Sequence, residues 1–505
     1  MLLSDFLKNG TTLQGPAGVN AINANDLLLL NAAGKLYPVA VSDYAASANI
    51  ATTLIASTAV SSFVLNNYSR KEIFASPIDG GLYLSFPVTT SNCGIGVAKY
   101  NSAGTLVKSL TIDSTASCSL QGSAVQQLSN GNILVSWCFQ GGANAGTWFA
   151  IYDQLLTQVV APTKIGTNAV YHDSLPLSGG GFAIAFQAAG GMQIGIYSNT
   201  GAVVSALANV TSSPTSGSAP RLAQLSNGNV AIAICSTVAG NALGHAIVTA
   251  AGAGVLNYTV LNAATIASTA WPEIAAAATG FYACAIADGT NTKGYVLNNA
   301  GAVQGAAFSV ANTNVESSTN KYIRMLTDGS AFWLVNTGSG GNIVVYMPTT
   351  GTNYISNASA GMTNGDAFID RGNLVLFPGG GSVTPYLMNS NGTISALTTS
   401  TGLSLTPYCI ARPAGDFTIL LCSGSQAGGM SFGLTKYQNA AIVGVSQGTV
   451  AAGNPGTTVP FSMGPGGYPC NAVGGTLGKA FDHTATNIVA NKGTILNTSV
   501  SLKGI

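Results

Sequence analysis

A hairpin signal recurs along most of this chain, and that recurrence limits the fold more than any other feature. Leu128-Ser129-Asn130-Gly131-Asn132 precedes the apolar run Ile133 to Phe139, and Leu225-Ser226-Asn227-Gly228-Asn229 precedes Val230 to Cys235. Variants place anchor glycines at Gly80, Gly131, Gly180, Gly228, Gly280, Gly329, Gly372 and Gly415. Asn-Gly and Asp-Gly favour the positive φ angles of two-residue hairpins. Each anchor is therefore expected to turn the first strand of a unit into its second. A third strand follows, often ending in an aromatic residue, as in Phe149 to Tyr152 and Ile194 to Tyr197. A second turn, such as Asn199-Thr200-Gly201 or Asn298-Asn299-Ala300-Gly301, leads into a fourth strand such as Leu106 to Ile112.

Eight such units of about 43 to 52 residues fill the chain from about residue 58 to residue 447. Four short strands per unit fit a propeller blade. One blade cannot bury both faces of its sheet, but neighbouring blades can. The expected fold is an all-β, eight-bladed β-propeller over 51–445, with seven blades as the alternative because the last two spacings are shorter. An open stack would expose two sheet edges. Ser62 to Asn67 resembles the fourth-strand segments, so it is expected to complete the last blade and close the ring.

Composition narrows the function. Only 7% of the 505 residues are charged and the formal net charge is +1. That balance builds no basic surface for nucleic acid and no polybasic membrane patch. The run Leu27 to Leu30 is too short to span a bilayer, and the first residues lack a secretory pattern. Eight dispersed cysteines form no CxxC or Cys/His cluster, which points to reduced, buried thiols and to no metal or other cofactor. Cys138, Cys235 and Cys422 each lie seven residues after an anchor, which reads as a shared packing niche.

The flanks carry the functional signal. Residues 1–50 read as an attachment segment with two short strands around Ala33-Gly34, one of them Leu27 to Leu30. Residues 446–505 read as a small β module that includes a strand at Thr457 to Ser462 and the turns Gly474-Gly475 and Lys492-Gly493. Both flanks resemble the terminal segments of bacteriophage tail and tail-fibre proteins, and the repeats resemble bacterial surface and phage propeller repeats. That resemblance implies a non-enzymatic virion structural protein, assembled in the host cytoplasm. Its terminal segments would contact other virion proteins, in several copies or as a homo-oligomer. Its propeller would act as scaffold or recognise a host surface glycan or protein. Capsid decoration and a carbohydrate-active propeller enzyme are the alternatives.

Candidate residues are few. Sixteen carboxylates and three histidines offer no recognisable pair for glycoside hydrolysis. Tyr171-His172-Asp173 reads as a surface turn, His245 as a structural histidine in an apolar strand, and Asp328 as a turn residue. Trp137, Trp148 and Trp333 are expected between blades, with Trp271 exposed at a strand start before Pro272. The better clue is register. Asp173, Arg221 and Glu273 lie seven residues before their anchors, and Glu72 and Lys321 lie eight before theirs. These positions open the first strands, nearest the propeller axis. Five charges there would ring one mouth of the channel, either as a recognition face or as mutual ion pairs that keep the mouth soluble. Ion pairing is the expectation.

Overall fold

The computed structural model describes most of residues 71–358 and, outside that span, little beyond the strands named below. It is all-β, with no helix among the described residues. Eight antiparallel four-stranded sheets succeed one another, six of them within 71–358, and the flanks build a separate five-stranded sheet. Blade 1 runs Ile73–Ala75, Leu82–Phe86, Ile95–Tyr100 and Leu106–Asp113. Blades 2 to 6 span 119–167, 172–211, 221–262, 273–311 and 323–358, with strand order following chain order.

The first strands meet in a cycle. Ile73–Ala75 lies against Ser119–Gln127, which lies against His172–Pro176. The series continues through Arg221–Gln224, Glu273–Ala276, Ile323–Thr327, Thr363–Asp370 and Pro407–Ala411, and returns to Ile73–Ala75. A closed ring of innermost strands is the architecture of a β-propeller. The closing strand differs from the sequence expectation. Thr53–Ile55 completes the last sheet, with Ile55, Leu54 and Thr53 opposite Phe432, Gly433 and Leu434. Ser62 to Asn67 lies outside the described residues.

Burial explains why the inner strands are apolar throughout. Val230–Ser236 and Ala242–Val248 are buried at every residue, because other blades cover both faces. The outermost strands alternate, as in Val203–Thr211. The cores lie between blades. Leu134, Cys138 and Phe149 of blade 2 pack with Phe182, Ile184 and Phe186 of blade 3. Ala231, Ala233 and Cys235 of blade 4 pack with Ile274, Tyr282 and Cys284 of blade 5. Trp137 joins residues of blade 1, and Trp333 joins Ala367, Leu374 and Leu376 of the next sheet, in Thr363–Asp370 and Asn373–Gly379, as expected. Trp148 is partly buried and stacks on Trp137 at 6.3 Å. The thiols of Cys138, Cys235 and Cys284 are reduced and buried, and burial pushes Cys138 up to about 12. The Cys422 side chain lies outside the described residues.

The repeated turn is not the two-residue hairpin that Asn-Gly suggests. The Gly131 amide donates to the Leu128 carbonyl at 2.9 Å, and the Leu128 amide donates to the Asn132 carbonyl at 2.8 Å. The Gly131 φ is +88°, while Asn130 is absent from the positive-φ residues. This is a three-residue loop, a type I turn followed by one left-handed residue. Leu225 to Asn229 repeats it with matching bonds. Anchors Gly80, Gly372 and Gly415 lie outside the described residues. The preceding glutamine, Gln127 or Gln224, donates to the turn glycine's carbonyl. Gln224 also accepts from the Ser178 amide of blade 3, and Ser226 accepts from Asn299 of blade 5. The motif therefore serves as turn and as clamp between blades.

The two flanks meet. Leu13–Pro16 pairs with Thr458–Ser462, which pairs with Ile442–Ser446, then Leu27–Leu30 and Leu36–Pro38. Segments more than 400 positions apart thus share one sheet. The turn geometry makes a direct prediction. Gly131→Ala should cost about 1–2 kcal/mol because the left-handed position gains a Cβ. Asn130→Ala should cost less than about 1 kcal/mol, and urea unfolding midpoints of the two variants check the difference.

Candidate binding site at the propeller axis

Opposite the charged positions the second strands carry small residues. Asp173, Arg221 and Glu273 face Ala185, Ala233 and Ala285 across their hairpins. Directly opposed Cβ atoms lie about 5 Å apart, so an alanine leaves room for a long neighbour. Arg324 faces Val335 at the same register, three residues before the end of its strand. These residues open toward the axis and line a cavity of about 180 Å³ with Lys71, Leu222, Ile274 and Met325.

The sequence expectation is partly met here. Asp173, Arg221 and Glu273 come together in the cavity wall. Glu72 is buried at the start of blade 1, where its carbonyl accepts from the Ser85 amide, but the cavity is lined by its neighbour Lys71. Lys321 lies outside the described residues, and the blade 6 charge in the wall is Arg324. Adjacent strand residues point to opposite faces, so counting from a glycine misplaces a side chain wherever a turn gains or loses one residue.

Charges alternate around the wall: Lys71, Asp173, Arg221, Glu273, Arg324. Lys71 Nζ donates to Asp173 Oδ1 at 2.5 Å and to the Ser174 carbonyl at 2.9 Å. Asp173 also accepts from the Ser174 amide on Oδ1 and from the Leu222 amide of blade 4 on Oδ2. Arg221 Nε donates to Glu273 Oε1 at 3.1 Å, and both side chains are buried. The Arg221 guanidinium lies 5.3 Å from the Trp271 ring, which meets Tyr171 edge-on at 4.9 Å. Trp271 is fully buried rather than exposed, because this cation and ring cover it. Of the five positions read from sequence, Arg221 and Glu273 pair with one another, and Asp173 pairs instead with Lys71.

His172 and Asp173 are not in a surface turn. They belong to the first strand of blade 3 and are buried. His172 Nε2 donates to Ser136 Oγ at 3.0 Å, Ser136 to Ser174 Oγ, and Ser174 to Gln126 Oε1. This chain of hydroxyls joins blades 2 and 3 and puts the ring proton on Nε2. Burial holds His172 down to about 4, with Asp173 opposing and Lys71 and Arg221 adding to the effect. His245 is buried as expected, its Nδ1 at 2.5 Å from the Tyr282 hydroxyl, and burial lowers it to about 4 as well. Asp328 is a turn residue, accepting from the Ala331 amide at 2.8 Å. Sequence inspection missed Lys71 and Arg324, although both are basic residues within three positions of the expected ones. No group of three metal-ligating side chains occurs among the described residues.

No protein-family model matches this chain, and no curated protein does. Among solved structures it resembles the Dos1 propeller, at TM-score 0.46 and 12% identity over 74% of this chain and 95% of that one. It also resembles a polysaccharide lyase of family PL25, an ulvan lyase, at 0.44 and 10% over 76% and 96%. A third is BBS1N in complex with ARL6DN, at 0.41 and 10% over 77% and 97%. At such identities the likeness concerns the fold alone, and no site or substrate is carried across.

Two outcomes follow. Arg221→Ala leaves Glu273 buried without its guanidinium and should cost about 3–5 kcal/mol, whereas the double change Arg221→Met, Glu273→Leu should cost less; chemical denaturation of both checks this. The second concerns pH. An ordinary histidine titrates near 6.5, and both described histidines are held near 4 when folded. The unfolded chain then binds more protons than the folded one between these values. Stability should be full above about pH 6.5 and fall as pH drops toward 4, and His172→Gln should make that slope shallower in denaturation curves across the window.

Proposed function

We propose that this chain is a non-enzymatic structural protein of a bacteriophage virion, in the tail or a fibre. Its flank sheet attaches it to other virion proteins, and its propeller is a rigid scaffold that faces the host surface. The observation that carries this reading is the joining of the two flanks. The segments that resemble phage tail termini pair with one another through Leu13–Pro16 and Thr458–Ser462. An attachment module assembled from both ends of a ring would hold the ring by one fixed base, which suits a part repeated on a particle.

The state of the axial carboxylates supports a non-catalytic reading. General acid–base work needs a carboxyl or imidazole poised to exchange protons with substrate. Both Asp173 oxygens accept hydrogen bonds, Glu273 is paired with Arg221, and His172 is buried in a hydroxyl chain. Electron microscopy of particles carrying a labelled copy should place the density at the tail or fibre; label confined to the capsid shell, or absent from particles, contradicts the proposal. Incubating the purified chain with host surface polysaccharide should release no oligosaccharide, and release would replace it with the enzymatic alternative.

A further inference from the structure

The axial belt is not symmetric with respect to solvent. Its carboxylates are deep: the Asp173 and Glu273 side chains are 1% and 8% exposed. Arg221 is also buried, at 4%. Among the described residues of the wall, those that reach solvent are both cations, Lys71 with its side chain 24% exposed and Arg324 partly exposed. An approaching solute therefore meets positive charge first, with the negative charge behind it and already engaged by Lys71 Nζ, the Leu222 amide and Arg221 Nε.

The space behind that rim is large enough to hold a ligand. The cavity measures about 180 Å³. The wall is also preorganised. Arg221 is fixed on one side by Glu273 and on the other by the Trp271 ring, itself wedged by Tyr171. Leu222, Ile274 and Met325 supply apolar surface between the charges. Guanidinium groups match planar oxyanions through paired N–H donors. A rim of one sign over a concave site also concentrates ligands of the other sign.

We propose that this cavity binds a small oxyanion of about monosaccharide size, held by Arg324 and Lys71 at the rim and by the field of Arg221 below. The oxyanion is a sugar carboxylate or a phosphate. The inference goes beyond the virion role and does not depend on it, since binding is measured on the isolated chain.

The test is calorimetric titration of the full chain at low ionic strength with galacturonate, inorganic phosphate, galactose and sodium chloride. Galacturonate or phosphate should bind saturably, and the tighter of the two identifies the source. Galactose, which lacks the carboxylate, should bind at least about tenfold more weakly. Arg324→Gln should weaken oxyanion binding by about tenfold or more. Arg324→Lys keeps the charge but not the fork, and should weaken it by a smaller factor; it also serves if the glutamine variant does not fold. Absence of saturable binding by both oxyanions, an equal response to galactose or chloride, or unchanged affinity in the folded Arg324 variant overturns the proposal.

Discussion

Everything in this molecule depends on apolar sheets covering one another around a closed ring. The second strand of blade 2 and the second and third strands of blade 4 are buried at nearly every position, so a blade on its own would expose two apolar faces. The interfaces are built from side chains of adjacent blades, with Phe149 of blade 2 against Phe182 of blade 3 at 5.1 Å. Each fully buried aromatic or aliphatic side chain contributes about 1.5–3 kcal/mol. Opening the ring would expose such a face on each side of the break. Thr53–Ile55, a strand from before the first blade, completes the sheet of the last and makes that opening require loss of sheet pairing as well.

The polar parts make sense within that frame. Clamps at the turns, such as Asn299 to Ser226 and Ser178 to Gln224, tie neighbouring blades at one end of their strands. The axial ion pairs fix the inner rims, with Lys71 of blade 1 reaching Asp173 of blade 3 and Arg221 of blade 4 reaching Glu273 of blade 5. In a chain with only 7% charged residues, this concentration on one register is the main electrostatic feature of the scaffold. The same groups leave a cationic rim over a cavity, so the device that steadies the axis also shapes a place for an anion.

Much of the fold was legible because it is written several times. Glycine anchors, aromatic strand ends and second turns recur, and one ambiguous unit is read by comparison with the others. The register of Asp173, Arg221 and Glu273 followed from the same counting. The errors fall where repetition fails. In blade 6 the wall residue Arg324 stands five residues before Gly329, where Asp173, Arg221 and Glu273 stand seven before their anchors, and the turn, with Thr327 opposite Phe332, is one residue shorter than its neighbours. In blade 1 both Lys71 and Glu72 precede the first strand, Ile73–Ala75, and Lys71 lines the cavity. Thr53-Leu54-Ile55 and Ser62-Phe63-Val64 are equally apolar and branched, and nothing local ranks them as outer strands. The burial of His172 and Trp271 was hidden because it depends on residues from blades 2 and 4, brought near only by the ring.

Ring closure is most directly tested by cross-linking. Leu54 lies opposite Gly433 in the closing sheet. A Leu54→Cys, Gly433→Cys chain should form an intramolecular disulfide under mild oxidation, and the oxidised form should unfold at a higher denaturant concentration than the reduced one. A Leu65→Cys, Gly433→Cys chain should not cross-link efficiently. Preferential cross-linking of the second pair, or of neither, would contradict closure by Thr53–Ile55.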